Sequence, residues 1–313
     1  MKVLGKTALA IVLGMYAIHV SGEKTVSSIR DDRAKTFADS YYRTATTVHA
    51  PLYGPLAEYI VDTYGLSDMR GLGVDIGGGP GNLVVELALR TSGMYWVNAD
   101  INPYFFPYTR LLADKADVGH RVSTLRADAQ DIPLKDNVAD IIISRGSFQF
   151  WNDKTRAFSE IFRVLKPGGV AYIGRGFSPN LPPEIARTIR SEQGAGSPVL
   201  TYDPEKTSEE LESIMKTLGI ADYFITIPHP PESAGIRYGV WLEFHKPSAG
   251  RTTVPASTPA TEVTQKGAEP VYVLKPLEVK GTHPRRMDRI EGQESKTVFL
   301  GPRPAIPLSR LCN

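Results

Sequence analysis

Val74-Asp75-Ile76-Gly77-Gly78-Gly79-Pro80-Gly81-Asn82 is the stretch whose reading decides the fold. The apolar run at residues 72–76 ends in the glycine cluster. Residues 82–90 then have helical character through Leu83, Val84, Leu87 and Ala88. A strand thus delivers the chain into a tight turn, and a helix leaves it. Glycines allow positive φ and let a ligand approach the backbone closely. The N–H groups that open the following helix can face a carboxylate or a phosphate. Taken alone, this pattern also fits a dinucleotide cradle.

Further elements follow on both sides. Residues 95–99, 122–126, 139–144 and 169–174 read as strands, with helical segments at 103–116 and 155–165. Such alternation means an α/β fold with a mainly parallel sheet. Before it, residues 24–65 read as helical, and Pro51 and Pro55 allow a break. After it, Asp203-Pro204-Glu205 opens a helix to about Leu218, where Gly219 is a stop. Residues 223–227 and 238–244 are two more strands. The loop joining them holds Pro228, Pro230 and Pro231 and no helix, so the pair is expected to be antiparallel.

Composition narrows the function classes. The chain has 313 residues, 42 % hydrophobic and 22 % charged, as in a soluble globular protein. Lys plus Arg number 36 against 34 Asp plus Glu, which gives no electrostatic case for nucleic acid. The single cysteine, Cys312, excludes an intramolecular disulfide. Six scattered histidines without ligand spacing argue against a metal site.

Both ends differ from the middle. Residues 1–6 carry two lysines, residues 7–20 form a 14-residue apolar run, and Ser21-Gly22 precede Glu23. This is the layout of a secretory signal peptide. Fourteen residues rise about 21 Å as a helix, against a bilayer core of about 30 Å. An uncleaved membrane anchor and a buried helix are the other readings. Residues 247–270 are rich in Pro, Thr and Ala and read as a linker. Residues 271–313 form a basic tail. Residues 247–313 hold ten Lys/Arg against six Asp/Glu, about +4 net, with a cluster at Arg285, Arg286 and Arg289. The expected organisation is 1–22 signal or anchor, 23–246 main domain, 247–270 linker and 271–313 extended tail.

Three acids and one turn sharpen the main domain. Asp100 ends the second strand, where a carboxylate can accept hydrogen bonds from both hydroxyls of a ribose. Asp128, followed by Ala129, comes after the third strand, where an acid can hold the exocyclic amine of adenine. Residues 163–170, Arg-Val-Leu-Lys-Pro-Gly-Gly-Val, enter the fifth strand through a Pro-Gly-Gly turn. Together with Asp75, the glycine loop and the segment at 142–151, these features resemble the class I S-adenosylmethionine-dependent methyltransferases. The branch is the small-molecule one called type 11, and the resemblance covers residues 36–246.

That resemblance implies a Rossmann-like, doubly wound, seven-stranded sheet, mainly parallel, with its last strand antiparallel. It implies S-adenosyl-L-methionine as cofactor. Asp75 would orient the glycine loop and meet the methionine ammonium. Gly77, Gly79 and Gly81 would give close backbone approach. Asp100 would bind the ribose, Ile101 would pack on the adenine, and Asp128 with Ala129 would hold its edge. Arg145 would lie beside the sulfonium, and Tyr41 or Tyr42 would close over the cofactor. Relatives often carry two histidines after the fourth strand. This chain has Gln149-Phe150 instead, which removes the obvious general base. His49, Tyr42, Arg145 and Tyr202 are the remaining weak catalytic candidates.

The expected function is in-line methyl transfer to a small-molecule or lipid-like acceptor. The alternative is a non-catalytic exported binding protein that keeps the fold and docks through its basic tail. The N-terminal segment predicts export or membrane anchoring, with a cytoplasmic enzyme as the alternative. The N-terminal helix and the tail are the candidate contacts to a membrane or protein partner.

Overall fold

The computed structural model describes residues 31–193, 202–229 and 235–248. All lie in the first of two units of the chain, Met1–Gly250; the second, Arg251–Asn313, falls outside them. The expected signal or anchor and the expected basic tail also lie outside the described residues.

Two helices come first, α1 (Asp31–Thr46) and α2 (Ala50–Tyr64). The break between them falls just before Pro51, whereas Pro55 sits inside α2 without interrupting it. Pro51 sits in the first turn of α2, where its missing N–H costs nothing, and Gly65 in the left-handed region ends the helix. Then β1 (Arg70–Ile76), α3 (Asn82–Arg90) and β2 (Gly93–Asp100) form the first βαβ unit. A 3-10 turn at Pro103–Phe105 leads into α4 (Phe106–Lys115) and β3 (Val122–Arg126). The second half comprises β4 (Ala139–Arg145), α5 (Lys154–Val164) and β5 (Leu165–Gly176). It continues with α6 (Pro183–Gln193), α7 (Pro204–Leu218), β6 (Tyr223–Thr226) and β7 (Gly239–His245).

The seven strands lie in the order β3-β2-β1-β4-β5-β7-β6. The first five are parallel. The last, β7, inserts between β5 and β6 and runs antiparallel to both. This is the Rossmann-like doubly wound sheet that the alternation and the proline loop implied. Helix α6 has no counterpart in the sequence reading. Its apolar positions are Ile185, Ala186 and Ile189, too few to stand out among seven polar or charged neighbours.

Strand side chains alternate between two cores, as a period of two requires. Ile141, Ile143, Tyr172 and Trp241 face α2, α3 and α6. Ile142, Ala171, Ile173, Leu242 and Phe244 face α5 and α7. Burying both faces is what a mainly parallel sheet demands. Gly73 on β1 lies under the Trp96 ring of β2, whose atoms come within 2.2 Å of where a Cβ would stand. The indole Nε1 of this buried Trp96 donates to Thr91 Oγ1 at 3.0 Å.

Candidate active site

Strand order reverses between the paired neighbours β1 and β4, from which the chain winds toward opposite edges of the sheet. Ligands of open α/β sheets bind outside the carboxyl ends of strands at such a switch point. The glycine loop sits there. Gly77 has φ +68°, and its N–H donates to Ala99 O at 2.7 Å. A Cβ at this position would lie 2.4 Å from Ser147 Cβ, so the loop after β4 requires glycine here. Gly81 caps α3 in the left-handed region at φ +86°.

Two buried acids stand beside this loop, and Asp100 holds it. Asp100 Oδ2 accepts the Gly79 N–H at 2.9 Å, and Asp100 Oδ1 accepts the Asn102 N–H at 2.8 Å. Burial raises the Asp100 carboxyl to about 6, while those backbone donors pull it down. Asn98 Nδ2 donates to Gly79 O at 2.8 Å and to Thr109 Oγ1 at 2.7 Å, which pins the loop to α4. Asp75 is buried at 1 % exposure, and its Oδ1 has no hydrogen-bond partner. Burial, then the nearby Asp100, push its carboxyl up to about 8, against the pull of Arg145. Asp75 is therefore protonated at neutral pH in the ligand-free protein.

Asp75, Gly77 and Gly78 line a cleft together with Tyr41, Tyr53, Leu83 and Arg145. Tyr41 is carried by α1, which the Asn102 Nδ2 bond to Ala34 O at 2.9 Å ties to the loop after β2. Its ring lies 5.8 Å from Phe37, stacked, and edge-on to Phe105 at 6.0 Å. Arg145 closes β4; its Nε donates to Gly176 O at 3.1 Å, and its guanidinium stands 5.8 Å from the centre of the Tyr53 ring.

The other residues singled out in the sequence fall into three groups. Ile101, half-buried, follows Asp100 at the end of β2. Asp128 and buried Ala129 follow β3 on the same edge, with Asp128 Oδ1 accepting the Gln130 N–H at 2.9 Å. That turn is fixed from outside. Arg163 donates to Ile132 O and Leu134 O at 2.9 and 2.8 Å and pairs with Glu160, which accepts the Ile132 N–H at 3.0 Å. His49 stands beside the cleft, its ring 6.3 Å from Tyr41. Burial, Arg145 and Arg190 depress its pKa to about 3, so it is neutral and a poor proton acceptor. Tyr42 and Tyr202 are not among the residues lining the cleft. Tyr42 stacks on Tyr108 at 4.1 Å. Tyr202 precedes α7 and lies under the Arg175 guanidinium at 3.9 Å, its hydroxyl pKa raised by burial. The sequence reading missed Tyr53 and Leu83, which look like plain core positions of amphipathic helices. It also missed Arg190, which sits on the unassigned α6.

The geometry suits a ligand that is cationic at one end and needs hydroxyl acceptors at the other. An unpartnered buried carboxylate oxygen at Asp75 suits an ammonium. Asp100 keeps lone pairs beyond its backbone donors, and Ile101 and Ala129 stand at the ends of β2 and β3. Residues 74–173 match the family model described as a methyltransferase domain, type 11. Residues 74–173 are a methyltransferase domain of the class I S-adenosylmethionine-dependent kind. The domain's cofactor is S-adenosyl-L-methionine, and the residues present fit it. The ubiquinone/menaquinone biosynthesis C-methyltransferase UbiE of Idiomarina loihiensis is 36 % identical over 114 residues, 36 % of this chain and 44 % of that protein. The 2-methyl-6-phytyl-1,4-hydroquinone methyltransferase 2 of Oryza sativa is 31 % identical over 98 residues, 31 % and 27 % of the two chains. The chain thus spans less than half the length of these curated relatives. A solved structure from Methanococcus maripaludis, assigned as an S-adenosyl-L-methionine-dependent methyltransferase, is 29 % identical with a TM-score of 0.59. It covers 73 % of this chain, which covers 97 % of it.

Proposed function

We propose that the protein transfers a methyl group from S-adenosylmethionine to a small-molecule or lipid-like acceptor. The observation that carries this reading is Asp75, a buried carboxylate with an unpartnered oxygen in the cleft beside the glycine loop. Two relatives bear the names of quinone and hydroquinone substrates, which supports a small organic acceptor.

The roles follow from the site. Asp75 binds the cofactor's ammonium and becomes ionised in doing so. Gly77, Gly79 and Gly81 give the main chain room for close approach. Asp100 accepts from the ribose hydroxyls, Ile101 packs on the adenine, and Asp128 with Ala129 holds its edge. Arg145 lies at the reacting end, and Tyr41 covers the cleft and excludes water. The cofactor supplies an electrophilic methyl: the acceptor's lone pair forms the new bond to carbon, and the C–S electron pair returns to sulfur. What the chain adds is alignment, which by itself is worth about 7–11 kcal/mol of barrier in a well-oriented site. Nothing supports the non-catalytic alternative, since the loop and both buried acids are intact.

Calorimetric titration of S-adenosylmethionine and S-adenosylhomocysteine into the full chain tests this reading. Binding in the micromolar range, weakened at least about tenfold by Asp100→Ala, is the expected result. A folded chain that binds neither compound would sink it. We also propose export or membrane anchoring through residues 1–22, with the tail as a contact to a membrane or protein partner. Fractionation of cells making the full chain, or the chain without residues 1–22, tests that; equal distribution of the two overturns it.

A further inference from the structure

The carboxyl ends of β4 and β5 bring arginines together beyond the methyl-transfer cleft. Arg145 ends β4 in the cleft wall, and Arg175 is the penultimate residue of β5. Arg190 reaches in from α6, its guanidinium 4.4 Å above the Phe177 ring. Its Nη2 donates to Arg237 O at 3.0 Å, and Arg237 Nη1 donates to Tyr202 O at 3.3 Å, so α6, β7's approach and α7 are linked around one place. Arg145, Arg175 and Arg190 are all half-buried.

Arg145 Nε donates to Gly176 O, and Arg190 lies over the ring of Phe177, the next residue, so both guanidiniums meet at the end of β5. Burial, Arg145 and Arg175 lower the Arg190 pKa to about 10, opposed by Tyr202. Arg145 and Arg190 both act on His49, which lies between Tyr41 and this cluster and adds no charge of its own. Two acids act on the same groups. Asp75 is protonated at neutral pH, and Glu205 acts on Tyr202. Like charges held half out of water raise the local potential and favour an incoming anion. Guanidiniums grip carboxylate and phosphate through paired hydrogen bonds.

We propose that the acceptor is an organic anion, held through carboxylate or phosphate oxygens by Arg145 and Arg190 at the edge of the methyl-transfer cleft. This rests on the methyltransferase reading above and adds the acceptor's chemical class. The anion lies between the ends of β4 and α6, with the acceptor's body directed past Tyr53 into the methyl-transfer cleft.

The test is titration of the full chain, saturated with S-adenosylhomocysteine, with benzoate, phenyl phosphate and neutral benzamide. One or both anions bind at least about tenfold tighter than benzamide, and which one does separates a carboxylate from a phosphate source. Arg190→Gln removes the preference, Arg190→Lys keeps part of it, and S-adenosylhomocysteine affinity is unchanged in both. The preference also weakens with added salt. Absence of any preference over benzamide overturns the proposal. So does a preference that survives both Arg145→Gln and Arg190→Gln. Failure of S-adenosylhomocysteine to bind would instead sink the methyltransferase reading, and the same titrations without it still report on anion recognition.

Discussion

Asp75 is an acid that the fold keeps protonated until a cation arrives. Its pKa is raised from the ordinary value to about 8, first by burial and then by Asp100. The sign of the linkage follows. A raised carboxyl stabilises the fold fully below the unfolded value, and that stability is lost as pH rises through about 8. The ligand-free protein should therefore melt at a lower temperature at about pH 8 than at about pH 5, and Asp75→Asn should flatten the trend. Binding of the cofactor's ammonium lowers the Asp75 pKa and expels a proton near neutral pH. Calorimetry in buffers of different ionisation enthalpy reads that proton directly, and buffer-independent heats would contradict it. A plain turn acid, exposed and ionised, would show neither effect.

At the scale of the element, the loop between β1 and α3 depends on the loop after β4. Ser147 Oγ donates to Ile76 O at 3.0 Å, and its Cβ occupies the space a side chain at Gly77 would need. Gly77→Ala adds that clash to a left-handed backbone that costs roughly 1–2 kcal/mol for a residue with a Cβ. Urea unfolding should show at least that loss, and S-adenosylhomocysteine binding should fall with it. The variant that binds normally would show that the loop re-forms around an alanine. Helix α5 meets the same edge by another route. Arg163 donates to two carbonyls of the segment after β3 while paired with Glu160, so the turn bearing Asp128 is braced by a neighbouring helix.

Across the whole molecule, the sheet is the divider between two cores, and β7 joins its halves. Phe244 on β7 is fully buried, edge-on to Phe158 at 6.2 Å and stacked near Phe162 at 6.5 Å. Phe244→Ala should cost about 3–5 kcal/mol, a large part of a typical domain's stability of about 5–15 kcal/mol. Chemical denaturation checks it. On the other face, Trp241 stacks on Tyr172 at 4.6 Å, so both cores register the position of this one antiparallel strand. The site lies at the far end of that sheet, where strand order reverses between β1 and β4.

Local pattern alone placed most of this fold. The helix at Asn82–Arg90 and the strand at Val122–Arg126 have the bounds their periodicity implied, and Gly219 ends α7 where expected. Glycine clusters and strand-end acids are legible because backbone geometry and ligand approach restrict residue type at those positions. Tertiary structure decided what depends on distance. Asp75 became a protonated buried acid because the fold removes it from water and then sets Asp100, 25 residues away, near it. His49 lost its promise as a base because the fold buries it, with Arg145 and Arg190 arriving from β4 and α6 to add to the effect. Tyr42 and Tyr202 turned away from the cleft because Tyr108 and Arg175 offered them other partners. A side chain's charge state and neighbours are set by residues remote in sequence, and periodicity carries no record of them.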